Sequence, residues 1–218
     1  MKHTKWTFLL AAALSTAAVS VQAADAAAPA AQAQTNVAAD AFIKDITNDV
    51  FATVRGDKAI QAGDLRKVIA VIDAKILPHV NFQRMTASAV GKNWRQATPE
   101  QQKRLQEEFK NLLIYTYAGA AAQIKDQTVE YRPLRSRPED TEVVVRSVVR
   151  GQGEPIQIDY RLEKSGNAWK VYDVNVLGAW LVQTYQSSFA QEVSASGIDG
   201  LINKLVERNK QLAAKKAG

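Results

Sequence analysis

The hydrophobic pattern of this chain changes its period twice, and that change limits the folds open to it. Up to about residue 124, and again after residue 178, apolar residues recur every three or four positions, which is typical of amphipathic helices. Between these regions apolar and polar residues alternate, which is typical of strands with one buried face. The pattern therefore predicts a one-sided sheet whose apolar face only the flanking helices can cover.

Four runs of alternating residues predict an antiparallel meander of about four strands. In the clearest run, 154–163, every second residue is apolar: Ile156, Ile158, Tyr160 and Leu162. The other runs lie at 129–131, 141–150 and 169–176, with an irregularity expected near Asp173. Glycine-containing turns separate the last three runs. We therefore predict an α+β fold with helices packed on the concave apolar face of the sheet.

One helix start is marked more clearly than any other boundary. Thr98 is suited to cap a helix, Pro99 to occupy its first position, and Gln101 to complete a capping box. The apolar spacing that follows predicts a long helix reaching about Ile124. A final helical region is expected from about residue 178, broken at Gly197.

The first residues predict an export signal. Lys2 and Lys5 precede an apolar run, and Val21-Gln22-Ala23 offers small residues for cleavage after Ala23. The run is shorter than the roughly 20 residues of a membrane-spanning helix, although an uncleaved N-terminal anchor is the alternative. We predict a signal peptide at 1–23, a flexible alanine-rich leader at 24–37, a single domain at 38–213 and a disordered tail at 214–218.

Composition excludes several classes of protein. The chain has no cysteine, which removes disulfides, thiolate nucleophiles, cysteine metal sites and a lipid anchor on cysteine. Its formal net charge of +6 would suit nucleic acid, but an exported protein does not normally meet nucleic acid. After the signal, no apolar stretch is long enough to span a membrane, so a soluble mature protein is expected.

Residues suited to catalysis are scarce. His3 lies in the predicted signal peptide, which leaves His79, beside Pro78 and expected to be structural. The sequence shows no metal-ligand spacing, nucleophile elbow or phosphate-binding glycine loop. Asp173 is the acidic residue closest to the apolar face of the predicted sheet. We predict no enzyme activity, metal or cofactor; a small-molecule enzyme on a similar cone-shaped α+β fold is the alternative.

Apolar and aromatic residues are abundant on the surfaces that should face each other. The sheet should contribute Val143, Val145, Ile156, Ile158, Tyr160, Val171 and Val174. The helices should contribute Leu112, Tyr115, Tyr117, Trp180, Leu181 and Tyr185. These residues are compatible with an apolar cavity that binds a ligand. They are equally compatible with the filled core of an interaction module, because periodicity does not distinguish the two.

A loop between the first two predicted strands concentrates basic residues between prolines. It contains Arg132, Arg135 and Arg137, with Pro133 and Pro138. Guanidinium groups in this arrangement would suit phosphate head groups or an acidic docking partner. A rigid, solvated loop is the alternative.

Three segments resemble one protein family. They are ILPHVNF at 76–82, NWRQATPEQ at 93–101 and GIDGL at 197–201. Together they are similar to segments of the periplasmic phospholipid-binding proteins of the Mla pathway, also described as toluene-tolerance or auxiliary ABC-transport proteins. The similarity covers nearly the whole mature chain in the same order. One departure is Leu177-Gly178-Ala179-Trp180, where the tryptophan would narrow or line a pocket.

The resemblance implies an NTF2-like fold with an apolar lipid pocket between sheet and helices. It implies a soluble periplasmic carrier whose cargo is phospholipid, with the acyl chains enclosed and the head group near solvent. Such a carrier would make transient contacts with an outer-membrane lipoprotein–porin complex and an inner-membrane ABC transporter complex. By shuttling lipid between them it would maintain the lipid asymmetry of the outer membrane.

Overall fold

A computed structural model of the protein describes residues 38–137 and 139–217. The helices are α1 (Ala39–Gly56), α2 (Lys58–Gln61), α3 (Leu65–Val71), α4 (Phe82–Val90), α5 (Pro99–Tyr117) and α6 (Leu181–Ala217). The strands are β1 (Thr128–Tyr131), β2 (Glu142–Arg150), β3 (Ile156–Ser165), β4 (Ala168–Val176) and β5 (Ala179–Trp180). A π-helical turn, Ile72–Ile76, follows α3, and 3₁₀ turns occur at Leu77–His79, Gly91–Gln96 and Ala118–Gln123. The predicted signal peptide and leader lie outside the described residues.

The five strands form one antiparallel meander in the order β1-β2-β3-β4-β5. The predicted α+β class is confirmed, with five strands rather than about four. The additional strand, β5, has two residues, too few to produce an alternating pattern. Helix α6 therefore begins at Leu181, three residues later than expected.

Side chains on the apolar face form four rows across the strands, because residues opposite each other in register share a face. The first row is Val143, Leu162 and Val171; the second is Val145, Tyr160 and Val174. The third is Tyr131, Ser147, Ile158 and Val176; the fourth is Val129, Val149 and Ile156. A bulge in β4 keeps Val171 and Val174 on this face and turns Asp173 to the polar face, opposite Arg161. The irregularity predicted near Asp173 is confirmed.

Helix α1 covers the first-row end of the apolar face. Its residues Ala39 and Ile43, both almost fully buried, pack with first-row and second-row side chains and with Trp169 of β4. The ring of Phe42 meets His79 edge-on, with ring centroids 5.4 Å apart. This contact gives His79 a packing role, as expected.

A second buried cluster joins α4, α5 and the first and last parts of α6. At its centre Phe109 is fully buried and packs edge-on against Tyr185 and Phe189, at centroid distances of 5.1 and 5.3 Å. A third cluster joins the end of α1 to α2, α3 and the end of α5. Helix α5 ends at Tyr117 rather than near Ile124 as predicted. A glycine-containing 3₁₀ segment, Ala118–Gln123, follows it.

The first of the three family-like segments attaches the helices to the sheet. Val80 forms a parallel bridge with Val171, and the Asn81 backbone N–H donates to the Val171 carbonyl at 2.8 Å. The Asn81 side chain caps α4 by accepting from the Arg84 N–H, and donates to Glu163 at 2.6 Å. The segment therefore fixes α4 against β4.

The other two segments meet each other. Thr98 and Gln101 form the predicted capping box, and the Gln101 Nε2 also donates to Asp199 at 2.9 Å. Gly197, at φ 73°, provides the predicted break in α6. Beyond the break, α6 continues to Ala217, so most of the predicted disordered tail at 214–218 is helical. Within the described part of the chain, no helix has the length and apolar character needed to cross a membrane.

The turn between β4 and β5 carries an unfavourable residue. Leu177 has φ 53° and Gly178 has φ 90°, as in a two-residue type I′ hairpin turn, which favours glycine or asparagine at both positions. Leu177 is 69% exposed, so its side chain gains little from burial.

We predict that Leu177→Asn raises the free energy of unfolding by about 0.5–1 kcal/mol, because asparagine tolerates the left-handed backbone better than leucine. Urea unfolding of both proteins measures the difference. Leu177→Ala is the matched control, since alanine removes the leucine side chain and keeps the strain. An equal gain in both variants would contradict the backbone explanation.

Candidate functional site

The apolar face of the sheet is covered at one end and open at the other. In the first row Val143, Leu162 and Val171 are all buried, with exposures of 8%, 0% and 6%. By contrast Ile156, in the fourth row, is 41% exposed. In β2, β3 and β4, four apolar residues of the last two rows are partly or largely exposed and belong to none of the buried clusters found in the described chain: Val149, Ile156, Ile158 and Val176. We call these four residues the open half of the sheet.

The core itself is divided. Buried apolar residues of the described chain fall into three clusters, one between sheet and α1 and two among the helices. A domain of this size usually has one contiguous core. Val80 packs against two of these clusters, whereas the open half of the sheet belongs to none of them.

Tyr160 lies in the second row, next to the open half. Burial raises the pKa of Tyr160 to about 12. The residue nevertheless keeps some accessible surface.

The predicted helix residues do not share one environment. Leu112 is 6% exposed and lies inside the helical cluster, and Leu181 is 8% exposed at the start of α6. Tyr115 is partly buried. Tyr185 packs on Phe109 and lies close to Tyr117, and burial raises the pKa of both tyrosines. Tyr117 nevertheless is 40% exposed, so this pair has surface available to a ligand.

Trp180 requires a correction. It was expected to face the apolar side of the sheet from a helix, but it belongs to β5 and pairs in register with Asn175. Its ring lies under the Arg161 guanidinium, 3.8 Å from the Cζ atom to the ring centroid, on the polar face. The tryptophan therefore packs against a cation outside the apolar space.

Asp173 has a structural role. It is 1% exposed, accepts from the Val174 and Val182 N–H groups at 2.9 and 3.1 Å, and pairs with Arg161 at 2.9 Å. Desolvation raises the pKa of Asp173, while the helix N–H of Val182 and the Arg161 charge favour its ionised form. The carboxylate thus caps α6 from the polar face. Among the described residues, no cluster of His, Asp or Glu could hold a metal ion.

The basic loop lies with the polar face, away from the open half. Arg137 pairs with Asp140 at 3.3 Å and with Glu139 at 3.5 Å. Arg135 lines a shallow hollow of about 320 Å³ together with Arg146, the acidic Asp140 and Glu142, and other residues of β2 and β4. The Arg132 N–H donates to the Arg146 carbonyl at 2.9 Å, and its side chain is exposed.

Sequence reasoning missed a network that ties α4 to the polar face. The Arg84 guanidinium stacks on Tyr172, 3.7 Å from the ring centroid, pairs with Glu142 at 2.7 Å and also pairs with Glu163. Arg84 and Tyr172 hold the pKa of Glu142 below its usual range through hydrogen bonds. Alternating charged residues along a strand are typical of a solvated face. The sequence therefore gives no sign that Arg84 contacts Glu142 and Glu163.

The fold is similar to a solved structure of a phospholipid-binding protein from Ralstonia solanacearum in complex with a phospholipid. The two share 50% sequence identity with a TM-score of 0.79, over 81% of this chain and 99% of that chain. The family model described as MlaC protein matches residues 44–207, so this chain belongs to the MlaC family. The predicted resemblance is confirmed.

Two curated relatives agree with this assignment. One is the toluene tolerance protein ttg2D of Pseudomonas putida, 31% identical over 105 residues, which cover 48% of this chain and 49% of that protein. The chain thus matches about half the length of that relative. The other is the intermembrane phospholipid transport system binding protein MlaC of Haemophilus influenzae, 21% identical over 174 residues, covering 78% of this chain and 81% of the relative.

A pair of substitutions tests whether the open half borders a space. We predict that Ile158→Trp lowers the free energy of unfolding by less than about 1 kcal/mol, because the larger side chain has room. Val145 lies on the same face under α1 and is 1% exposed. There, Val145→Trp should lower the free energy of unfolding by about 3 kcal/mol or more, because the core around it is already full. Urea unfolding measures both. Equal destabilisation at the two positions would indicate a filled core.

Proposed function

We propose that this protein is a phospholipid carrier that holds acyl chains between the open half of the sheet and the facing helices. The observation that carries the proposal is the accessible apolar surface of Val149, Ile156, Ile158 and Val176 on a sheet face whose other end is covered. The lipid-bound Ralstonia protein, at 50% identity, supports it.

The physical chemistry of lipids explains why a carrier needs such a space. Burying each methylene group is worth roughly 0.8 kcal/mol. A two-chain lipid with about thirty methylenes therefore loses on the order of 20 kcal/mol on entering water. An enclosed apolar space can replace nearly all of that lost contact, whereas a surface patch cannot.

Under this proposal the residues predicted from sequence fall into two groups, those that touch the lipid and those that support them, and the groups differ in burial. Ile156, Ile158, Tyr160 and Val174 would touch the acyl chains from the sheet, and Tyr117, Tyr115 and Tyr185 would do so from the helices. The more deeply buried Val143, Val145, Val171, Leu112 and Leu181 would support these contacts from behind. Phospholipid would be bound as cargo, not as a cofactor.

We further propose that the protein works in the periplasm and makes transient contacts with an outer-membrane lipoprotein–porin complex and an inner-membrane ABC transporter complex. Moving lipid between them would maintain the lipid asymmetry of the outer membrane. Membership of the MlaC family and the predicted signal peptide at 1–23 support this proposal. The exposed Arg132 and Arg135, beside Arg146, Asp140 and Glu142, would provide a docking surface of mixed charge on the polar face, away from the lipid.

Native mass spectrometry of the protein purified from a periplasmic extract tests the proposal. We expect a discrete added mass that solvent extraction identifies as phospholipid. A protein at its bare chain mass, still bare after incubation with phospholipid vesicles, would contradict a carrier.

Asp173→Asn separates a carrier from an enzyme that would use this carboxylate. We predict that the variant keeps its bound lipid at the wild-type level, while its free energy of unfolding falls by about 1 kcal/mol because the pair with Arg161 is lost. Lipid occupancy by native mass spectrometry and urea unfolding measure the two effects. Asp126→Asn, an exposed position, is the matched charge control. Loss of lipid from the Asp173 variant at unchanged stability would contradict this role.

A further inference from the structure

Two large apolar residues are exposed side by side at the end of the sheet where the open half lies. Ile156, in the fourth row, is 41% exposed, and Leu177, in the turn between β4 and β5, is 69% exposed. The Leu177 N–H donates to the Gln157 carbonyl at 3.1 Å, which places the turn beside the residue that follows Ile156. A single exposed apolar residue needs no explanation, but these two continue the accessible apolar surface of the open half.

The backbone of the turn directs the Leu177 side chain toward the apolar face. The Gly178 N–H donates to the Asn175 side chain at 2.9 Å, and Asn175 pairs in register with Trp180 on the polar face. Because a trans peptide is planar, the Leu177 carbonyl points the other way, toward the apolar face. In the left-handed conformation, at φ 53°, the Cβ atom lies close to the carbonyl oxygen of the same residue. The leucine therefore leaves the backbone on the side of the open half.

Leu177 contributes little to the stability of the fold. Its backbone conformation favours asparagine or glycine, and most of its side chain is in contact with water. A strained residue without a structural benefit is a candidate for function. An exposed leucine beside an apolar surface suits an apolar partner that is present only for a time. An acyl chain on its way to the open half is such a partner, because each methylene in water raises the free energy of the lipid.

We propose that Ile156 and Leu177 form an apolar entrance, at which the acyl chains of a phospholipid first contact the protein on leaving a bilayer. The inference rests on the proposed carrier function and deepens it. Leu177 touches the chains in passing and not in the bound state, so it lowers the barrier to transfer without changing the affinity. Uptake and release of lipid therefore change by the same factor when this side chain is altered.

Transfer kinetics test the entrance. The exported protein, stripped of lipid, is mixed with vesicles of phosphatidylethanolamine and phosphatidylglycerol that contain a self-quenched fluorescent phospholipid, and dequenching gives the rate of uptake. Transfer from the loaded protein to unlabelled vesicles gives the rate of release. We expect Leu177→Asn to lower both rates about threefold to tenfold, because part of one leucine's apolar contact is lost in the transition state. Its lipid occupancy at equilibrium, measured by native mass spectrometry, should equal that of the wild type.

Three further variants make the test specific. Leu177→Gly also suits the turn and should slow transfer as Leu177→Asn does, whereas Leu177→Met keeps an apolar side chain and should transfer lipid at close to the wild-type rate. Val148→Asn is the positional control, because Val148 lies opposite Gln157 at the same end of the sheet but on the polar face. This variant should leave both rates unchanged. Urea unfolding verifies that each variant is folded.

Each outcome decides the matter. Slower uptake and release in Leu177→Asn and Leu177→Gly, at wild-type occupancy and with Leu177→Met and Val148→Asn unchanged, supports the entrance. Wild-type rates in the asparagine and glycine variants, a loss of occupancy equal to the loss of uptake rate, or equal slowing in either control overturns it. Failure of the wild type to take up lipid at all would instead overturn the carrier function itself.

Discussion

The structure depends on one constraint, which is that an apolar sheet face must be removed from water by something packed against it. Helix α1 satisfies this constraint for the first two rows, where Val145 is 1% exposed. It leaves the open half without a buried cluster of its own. A second occupant of this surface is therefore favourable on physical grounds. The proposed occupant is a lipid. Exposing its acyl chains to water would cost too much free energy for it to cross water without a carrier.

The rigid contacts are concentrated on the other side of the sheet. On the polar face, Arg161 joins Asp173 and Trp180, and Arg84 joins Glu142 and Glu163. The family-like segments serve the same purpose, since 76–82 attaches α4 to β4 and Gln101 links α5 to Asp199. These contacts attach α4 and α6 to the sheet and α5 to α6.

Much of the fold follows from the sequence because it is encoded locally. The alternation in 154–163, the capping box at Thr98 and the break at Gly197 each depend on a few neighbouring residues, and each is present in the structure. The site follows less completely. The sequence predicts the wrong face for Trp180 because a two-residue strand has no period. The open half depends on where α1 stops covering the sheet. Neither property is visible in the spacing of apolar residues, which is the same for a filled and a hollow core.

Photo-crosslinking tests the central claim most directly. The protein would be loaded with a phospholipid carrying a photoactivatable diazirine near the end of one acyl chain, irradiated, digested and mapped by mass spectrometry. We predict crosslinks to peptides that contain Ile156, Ile158 or Val176, and none to the hollow around Arg135 and Arg146. Crosslinks confined to the polar face, or scattered evenly over the surface, would contradict an acyl-chain site on the open half of the sheet.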